Sequence, residues 1–190
     1  MPNFPKRLSK APTSRVEGTL VRAVAAAALF PGGEPASPDF LFTSGKPNRF
    51  NLSGVECLYF SESEATALAE YRRQFQGFER RGKQPVTLFF AEVRLQHALD
   101  LVDAETRRIL GVTLEDLASN WGYGLPPTTA QRLGEAVAAQ TRVSAIRYRS
   151  VAAIKAGTAG FNVVIFKPNV RAPDFVQILG PTKKPLQKLR

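Results

Sequence analysis

A chain of 190 residues, 44% apolar and 22% charged, with 13 Phe, has the bulk of one compact domain and too much core material for whole-chain disorder. Its formal charge of +10 raises nucleic acid as a partner, but eight of the 26 basic residues sit at the ends without any acid: Lys6, Arg7, Lys10 and Arg15 within 1–15, and Lys183, Lys184, Lys188 and Arg190 within 181–190. The body, 16–180, is left with 18 basic against 16 acidic residues, which excludes a broad nucleic-acid face and reads as one domain between two flexible basic tails.

Pro2, Pro5 and Pro12 among basic residues make the first fifteen positions unsuited to helix or strand, so order is expected from about Val16. Thr19 to Val24 has strand character. The apolar run Val21 to Phe30 is interrupted by Arg22 and closed by Pro31-Gly32-Gly33, which suits neither a signal peptide nor a membrane span, and a cytoplasmic protein is expected. Pro31 to Pro38 and Thr43 to Asn51 read as loops from their Gly and Pro content. Val55 to Phe60 is an apolar run of strand length. It holds Cys57, the single cysteine, so an intramolecular disulfide and a cysteine-based metal cluster are excluded and a reducing compartment is the default.

The Ser-x-x-Glu spacing of Ser61 and Glu64 predicts a helix starting at Ser61 and running to about Gln76, with Leu68, Tyr71, Phe75 and Phe78 as its buried stripe and Glu70 away from it. A polar loop, Arg80 to Gln84, precedes a strand over Val86 to Val93. Two short helices are expected at Asp103 to Leu110 and Thr113 to Ser119, divided by Gly111, with Trp121 read as core. After Pro126-Pro127, Thr128 or Thr129 caps a helix to about Gln140. Strands at Ala145 to Tyr148 and Asn162 to Phe166 complete an α+β pattern without repeats or a regular βαβ rhythm.

Polar residues without an evident structural task are few: Arg22 inside an apolar run, Arg49 in a loop, Tyr59 near a strand end, Glu70 on a helix flank and Ser150 after a strand. His97 is the sole histidine and reads as structural or surface, so a Ser/His/Asp triad and a His-based metal site are poor fits, and no metal is expected. Asn48-Arg49-Phe50-Asn51 resembles the Gly-Arg-Trp-Asn motif of the RES domain, a family named for its Arg, Glu and Ser. Leu58-Tyr59-Phe60-Ser61-Glu62-Ser63 resembles its Val-Tyr-x-x-Glu-Ser motif, and Ala67-Leu68-Ala69-Glu70 its Ala-Leu-x-Glu. Arg49 to Tyr59 spans ten positions and Tyr59 to Glu70 eleven, as in the family. Ala98-Leu99-Asp100-Leu101, Tyr148-Arg149-Ser150 and Asn162 to Phe166 resemble three later blocks, so the likeness covers roughly Gly18 to Phe166. Phe50, Asn48 and Arg149 depart from the usual Trp, Gly and Pro; Phe keeps the aromatic body, whereas Asn lacks glycine's easy access to positive φ.

This resemblance implies a fold like that of the ADP-ribosyltransferase toxins and an enzyme that consumes NAD as a substrate, with no resident cofactor. It implies the toxin of a toxin–antitoxin pair, silenced by a Xre-type antitoxin, with neither membrane nor nucleic acid as a direct partner and with homo-oligomerisation left open. Glu70 would stabilise positive charge on the ribose as nicotinamide leaves. Arg49, with Arg22, would hold the dinucleotide by its fork of donors, Tyr59 would offer a ring and a hydroxyl to nicotinamide, and Ser150 and Asn51 would contribute further substrate contacts. ADP-ribosyl transfer to a protein by the same site is the second enzymatic reading, and a non-catalytic basic module acting through the tails is the third.

Overall fold

The computed structural model describes residues 2–26, 46–74, 85–120, 122, 124–179 and 185–189. The expected loop at 31–38, the stripe positions Phe75 and Phe78, the polar loop at 80–84 and Trp121 lie outside these residues.

The first fifteen residues are not a bare tail. Phe4–Leu8 form α1, with Pro5 in its first turn, where a missing N–H is harmless, and the Asn3 side chain accepting from the Lys6 amide at 3.3 Å. Phe4 and Leu8 are buried. The prolines, read as excluding a helix, are compatible with its first turn. At the other end Pro185–Leu189 form a strand, so the C-terminal tail is also partly regular structure.

Ser14–Ala25 (β1) runs antiparallel to the long strand Val86–Asp100 (β3) over most of its length. Cys57–Ser61 (β2) pairs with Phe161–Phe166 (β5), which pairs with Ala145–Arg149 (β4), which runs parallel to the end of β3. One bridge between Val21 and Ser61 joins β1 to β2. The order β1-β2-β5-β4-β3 therefore closes back on β1, and Phe175–Leu179 (β6) with Pro185–Leu189 (β7) extends β3 outward. Two strands escaped the sequence reading here: β6 and β7 are short, and charged or polar residues interrupt them.

The pleat sorts β5 into two cores: Val163 and Ile165 join Leu20, Leu58, Phe60 and Val93, while Val164 and Phe166 join Phe50, Leu99, Leu133 and Ile146 beneath the helices. The register of β3 against β1 slips between Ser14 and Val16. This bulge lets Leu95 and Ala98, three residues apart, enter the same core.

Ala104–Leu110 (α3), capped by Asp103 and ended by Gly111 at φ 68°, and Leu114–Ala118 (α4), opened by a Thr113–Asp116 capping box, lie where the sequence placed them. Thr129–Ala138 (α5) opens with a Thr128–Gln131 capping box. A further short helix, Val151–Lys155 (α6), was not expected. The helix after β2 starts later than its motif suggested. Glu64–Gln74 form α2, whose first turn is held by Ser63: its hydroxyl accepts from the Thr66 amide at 3.2 Å. Ser61 ends β2 instead, because five ladder pairs to β5 outweigh a local cap. Thr66, Ala67 and Tyr71 are the buried positions of α2, while Leu68 is half-buried. The outcome is a single α+β domain: a closed sheet flanked by helices.

Candidate active site

A cleft of about 440 Å³ opens between β1, β2, α2 and the 48–50 segment, and Arg22, Arg49, Tyr59 and Glu70 all line it. Tyr148, Asn162, Arg73 and Asn120 line it too. Among the described residues no group of three His, Cys, Asp or Glu side chains is placed to hold a metal ion, and none of the helices is long and apolar enough to cross a membrane.

Glu70 projects from the half-buried flank of α2. Its Oε1 accepts two hydrogen bonds, from the Ser150 hydroxyl at 2.6 Å and from the Asn162 amide at 2.8 Å. Among the described residues Oε2 accepts none, so one carboxylate oxygen is anchored and the other is left unengaged in a side chain that lines the cleft. Ser150 is fully buried; its Oγ also accepts from the Ala153 amide at 3.0 Å, capping α6. It was expected to contact substrate. Its donor and its acceptor are both engaged inside the protein, and it is absent from the cleft wall, so it positions Glu70. Ser150→Ala is expected to lower stability by about 1 kcal/mol through the lost cap, and to reduce turnover because Oε1 keeps a single donor; thermal melts and initial rates on the same preparation check both.

Asn51 departs from expectation in the same way. It is fully buried, and its Nδ2 donates to the carbonyls of Lys46, Leu52 and Val55 at 2.7, 3.1 and 3.2 Å. Its Oδ1 accepts from the Tyr59 hydroxyl at 2.9 Å, and that hydroxyl in turn accepts from the Phe50 amide at 3.0 Å. Asn51 thus builds the loop rather than the substrate contact, and Tyr59 offers the cleft its ring, with its hydroxyl already engaged. Burial pushes the Tyr59 hydroxyl well above the usual tyrosine range, which keeps it a donor at neutral pH and rules it out as a base. Tyr59→Phe is expected to cost about 1–2 kcal/mol, since Asn51 Oδ1 and the Phe50 amide both lose a partner. Chemical denaturation measures it.

The loop that carries Arg49 is locked from several sides. The Asn48 side chain accepts from the Arg49 amide at 2.8 Å, and the Asn48 carbonyl accepts from Gln131 Nε2 at 3.0 Å. Asn48, standing where the family motif has glycine, thereby caps its own loop. Phe50 is fully buried with its ring 4.6 Å from that of Tyr148, keeping the aromatic packing expected of it. The Cα of Gly134 in α5 sits so close that a Cβ there would fall 1.6 Å from the Phe50 carbonyl oxygen. Arg49, 8% exposed, donates from one terminal nitrogen to the carbonyls of Leu117 and Ser119 at 2.6 and 3.2 Å. Burial lowers its pKa, opposed by Tyr148 and Glu70. Arg22 is pulled down further by burial, to about 10. Both remain cations at neutral pH, and a desolvated cation gains more from an anionic ligand than a hydrated one.

Asn162, Tyr148 and Arg73 were given no role by sequence. Asn162 had a signal: it is the polar residue of an otherwise apolar strand, buried to 4%. Burial raises the Tyr148 pKa, the charge of Glu70 adding to it, and Arg73 lies one helical turn beyond Glu70 on the same wall. Glu62, from the Tyr-x-x-Glu-Ser stretch, is structural: it pairs with Arg147 of β4 at 2.5 Å, while Asp100 holds the same guanidinium at 3.1 Å. His97 is exposed beside the Thr13 hydroxyl, and Cys57 is a buried thiol whose pKa burial drives up.

The fold is similar to one in a solved structure, the crystal structure of the M. tuberculosis MbcT–MbcA toxin–antitoxin complex, with a TM-score of 0.62 at 16% identity over 97% of this chain and 90% of that one. No curated protein matches the chain. The family model of the RES domain matches residues 19–183, a span that contains every residue of the cleft, and the chain belongs to the RES domain family.

Proposed function

We propose that this protein is the toxin of a toxin–antitoxin pair, that it degrades NAD by breaking the nicotinamide–ribose bond, and that a Xre-type protein is its antitoxin. Family membership and the fold shared with a chain of a toxin–antitoxin complex support the biological half of this reading. The chemical half rests on one observation above all: a carboxylate anchored through Oε1 by Ser150 and Asn162, with Oε2 unengaged, in the wall of a cleft lined also by three arginines.

The bond between ribose and nicotinamide breaks with positive charge building on the sugar, and a fixed carboxylate stabilises that charge where it develops. In this reading Glu70 Oε2 does so by taking a ribose hydroxyl. Nicotinamide leaves neutral, so the reaction demands no general acid. NAD carries its negative charge on the pyrophosphate, and Arg22, Arg49 and Arg73 supply matching cations. Arg22→Met is expected to raise KM for NAD about tenfold with kcat little changed, the pattern of lost uniform binding; steady-state kinetics reads it.

The decisive experiment expresses the chain without an antitoxin and follows cellular NAD. NAD is expected to fall before growth stops, and to stay level with Glu70→Ala. Growth arrest at constant NAD would overturn the reading. Mass spectrometry of the products then separates cleavage, which leaves free ADP-ribose or its phosphate, from transfer, which leaves modified protein.

A further inference from the structure

Two donors hold Glu70, and they differ in how they are themselves held. Ser150 is fixed by backbone: its hydroxyl caps α6 and its amide donates to the Gly160 carbonyl at 2.9 Å. Asn162 is fixed by a side chain. Its Oδ1 accepts from the Ser61 hydroxyl at 2.8 Å. Ser61 and Asn162 face each other as a register pair of the β2–β5 ladder, both 4% exposed.

An asparagine side chain has a donor end and an acceptor end, and a carboxylate can only accept. Asn162 therefore holds Glu70 only with Nδ2 toward it. In the reversed orientation a carbonyl oxygen would meet the carboxylate at hydrogen-bond distance, a repulsive contact. Ser61 supplies the donor that makes the productive orientation complete, because Oδ1 is then satisfied at a site only 4% exposed. The same serine is the residue that the local Ser-x-x-Glu pattern assigned to a helix cap. Its hydroxyl is released for Asn162 because Ser63 takes the first turn of α2 instead.

We propose that Ser61 is a positioning residue for the site, acting on Glu70 through Asn162. The proposal rests on the reading of Glu70 as the carboxylate that stabilises the ribose. Among the described residues the Ser61 hydroxyl is the hydrogen-bond donor to Oδ1, so Ser61→Ala leaves that buried oxygen without it and lets the amide turn away from Glu70. Ser61 lines the cleft beside Asn162, but its hydroxyl is committed to Oδ1, so what changes is where Glu70 points.

The test uses the full chain and two readouts. In steady-state kinetics with NAD, Ser61→Ala is expected to lower kcat about tenfold to a hundredfold with KM nearly unchanged, the range seen when reacting groups are displaced by small distances. In an Asn162→Ala background the same substitution is expected to do nothing further, because its route is already cut. An equal effect in both backgrounds would overturn the proposal, as would full kcat in Ser61→Ala. The second readout is independent of turnover: the side-chain amide signals of Asn162 in nitrogen–proton NMR spectra, identified by their loss in Asn162→Ala. They are expected to shift and exchange faster with solvent in Ser61→Ala. Unchanged signals would overturn the proposal. If the wild-type chain leaves NAD intact, the reading of the reaction fails, and the amide signals still decide the role of Ser61.

Discussion

Glu70→Gln is expected to lower NAD turnover about a thousandfold, the scale of losing a charge-stabilising group in a preorganised site, while the folded state hardly notices. Glutamine keeps the volume of glutamate, and its carbonyl oxygen can still accept from Ser150 and Asn162 where Oε1 now does. What changes is the other oxygen: a neutral amide replaces the carboxylate oxygen proposed to meet the ribose. Kinetics with NAD beside a thermal melt separates the two effects. Turnover within tenfold of wild type would show that charge at this atom is not what drives the reaction. Glu70→Ala goes further, since Ser150 and Asn162 lose their acceptor as well, and it is expected to cost stability in addition to activity.

The largest effect on the fold is expected from Gly134→Ala. Alanine is ordinarily the better helix residue, by about 1 kcal/mol. Here its Cβ would sit 1.6 Å from the Phe50 carbonyl oxygen and 2.6 Å from the carbonyl carbon, and both are backbone. Either α5 or the Arg49–Phe50 segment has to retreat. The net loss is expected to be about 3 kcal/mol or more, which lowers the melting temperature by roughly 10 °C for a chain of this length. Because Phe50 is rigidly tied to Arg49, NAD affinity falls with it. A variant that melts at the wild-type temperature would show that the close approach is relaxed at no cost.

Much of the site was legible because it is carried by short local patterns. Arg49, Tyr59 and Glu70 were singled out by the resemblance of three short segments and their spacing to family motifs, and the cleft gathers all three. Local patterns say little about which atoms are already engaged, however. Ser150 and Asn51 read as substrate donors, yet their polar groups close on a helix end, a carboxylate and three loop carbonyls that lie up to eighty residues away in sequence. Asn162 was visible as the first residue of a family-like block and as a polar residue in an apolar strand, but its role was not, since its partner Glu70 is 92 residues distant. The fold shows the same division. The helix capped by Thr128 was found from its first turn, and the one opened by Thr113 from the break at Gly111. Ser61 misled because two serines compete for one cap, and the β2–β5 ladder decides between them. The prolines of the first fifteen residues misled because the same residue that breaks a helix interior suits its opening turn.

Glu70 and both of its anchors enter the chain at different times. Synthesis delivers Glu70 before half the chain is made, but Ser150 and Asn162 emerge some eighty and ninety residues later, and β5 must slide between β2 and β4 before the sheet ring is complete. An unfinished or prematurely ended polypeptide thus carries the key carboxylate without the means to aim it. On the proposed reading, in which the activity depletes NAD and a partner silences it, the order of translation is itself a safeguard: the site is completed only when most of the molecule has left the ribosome.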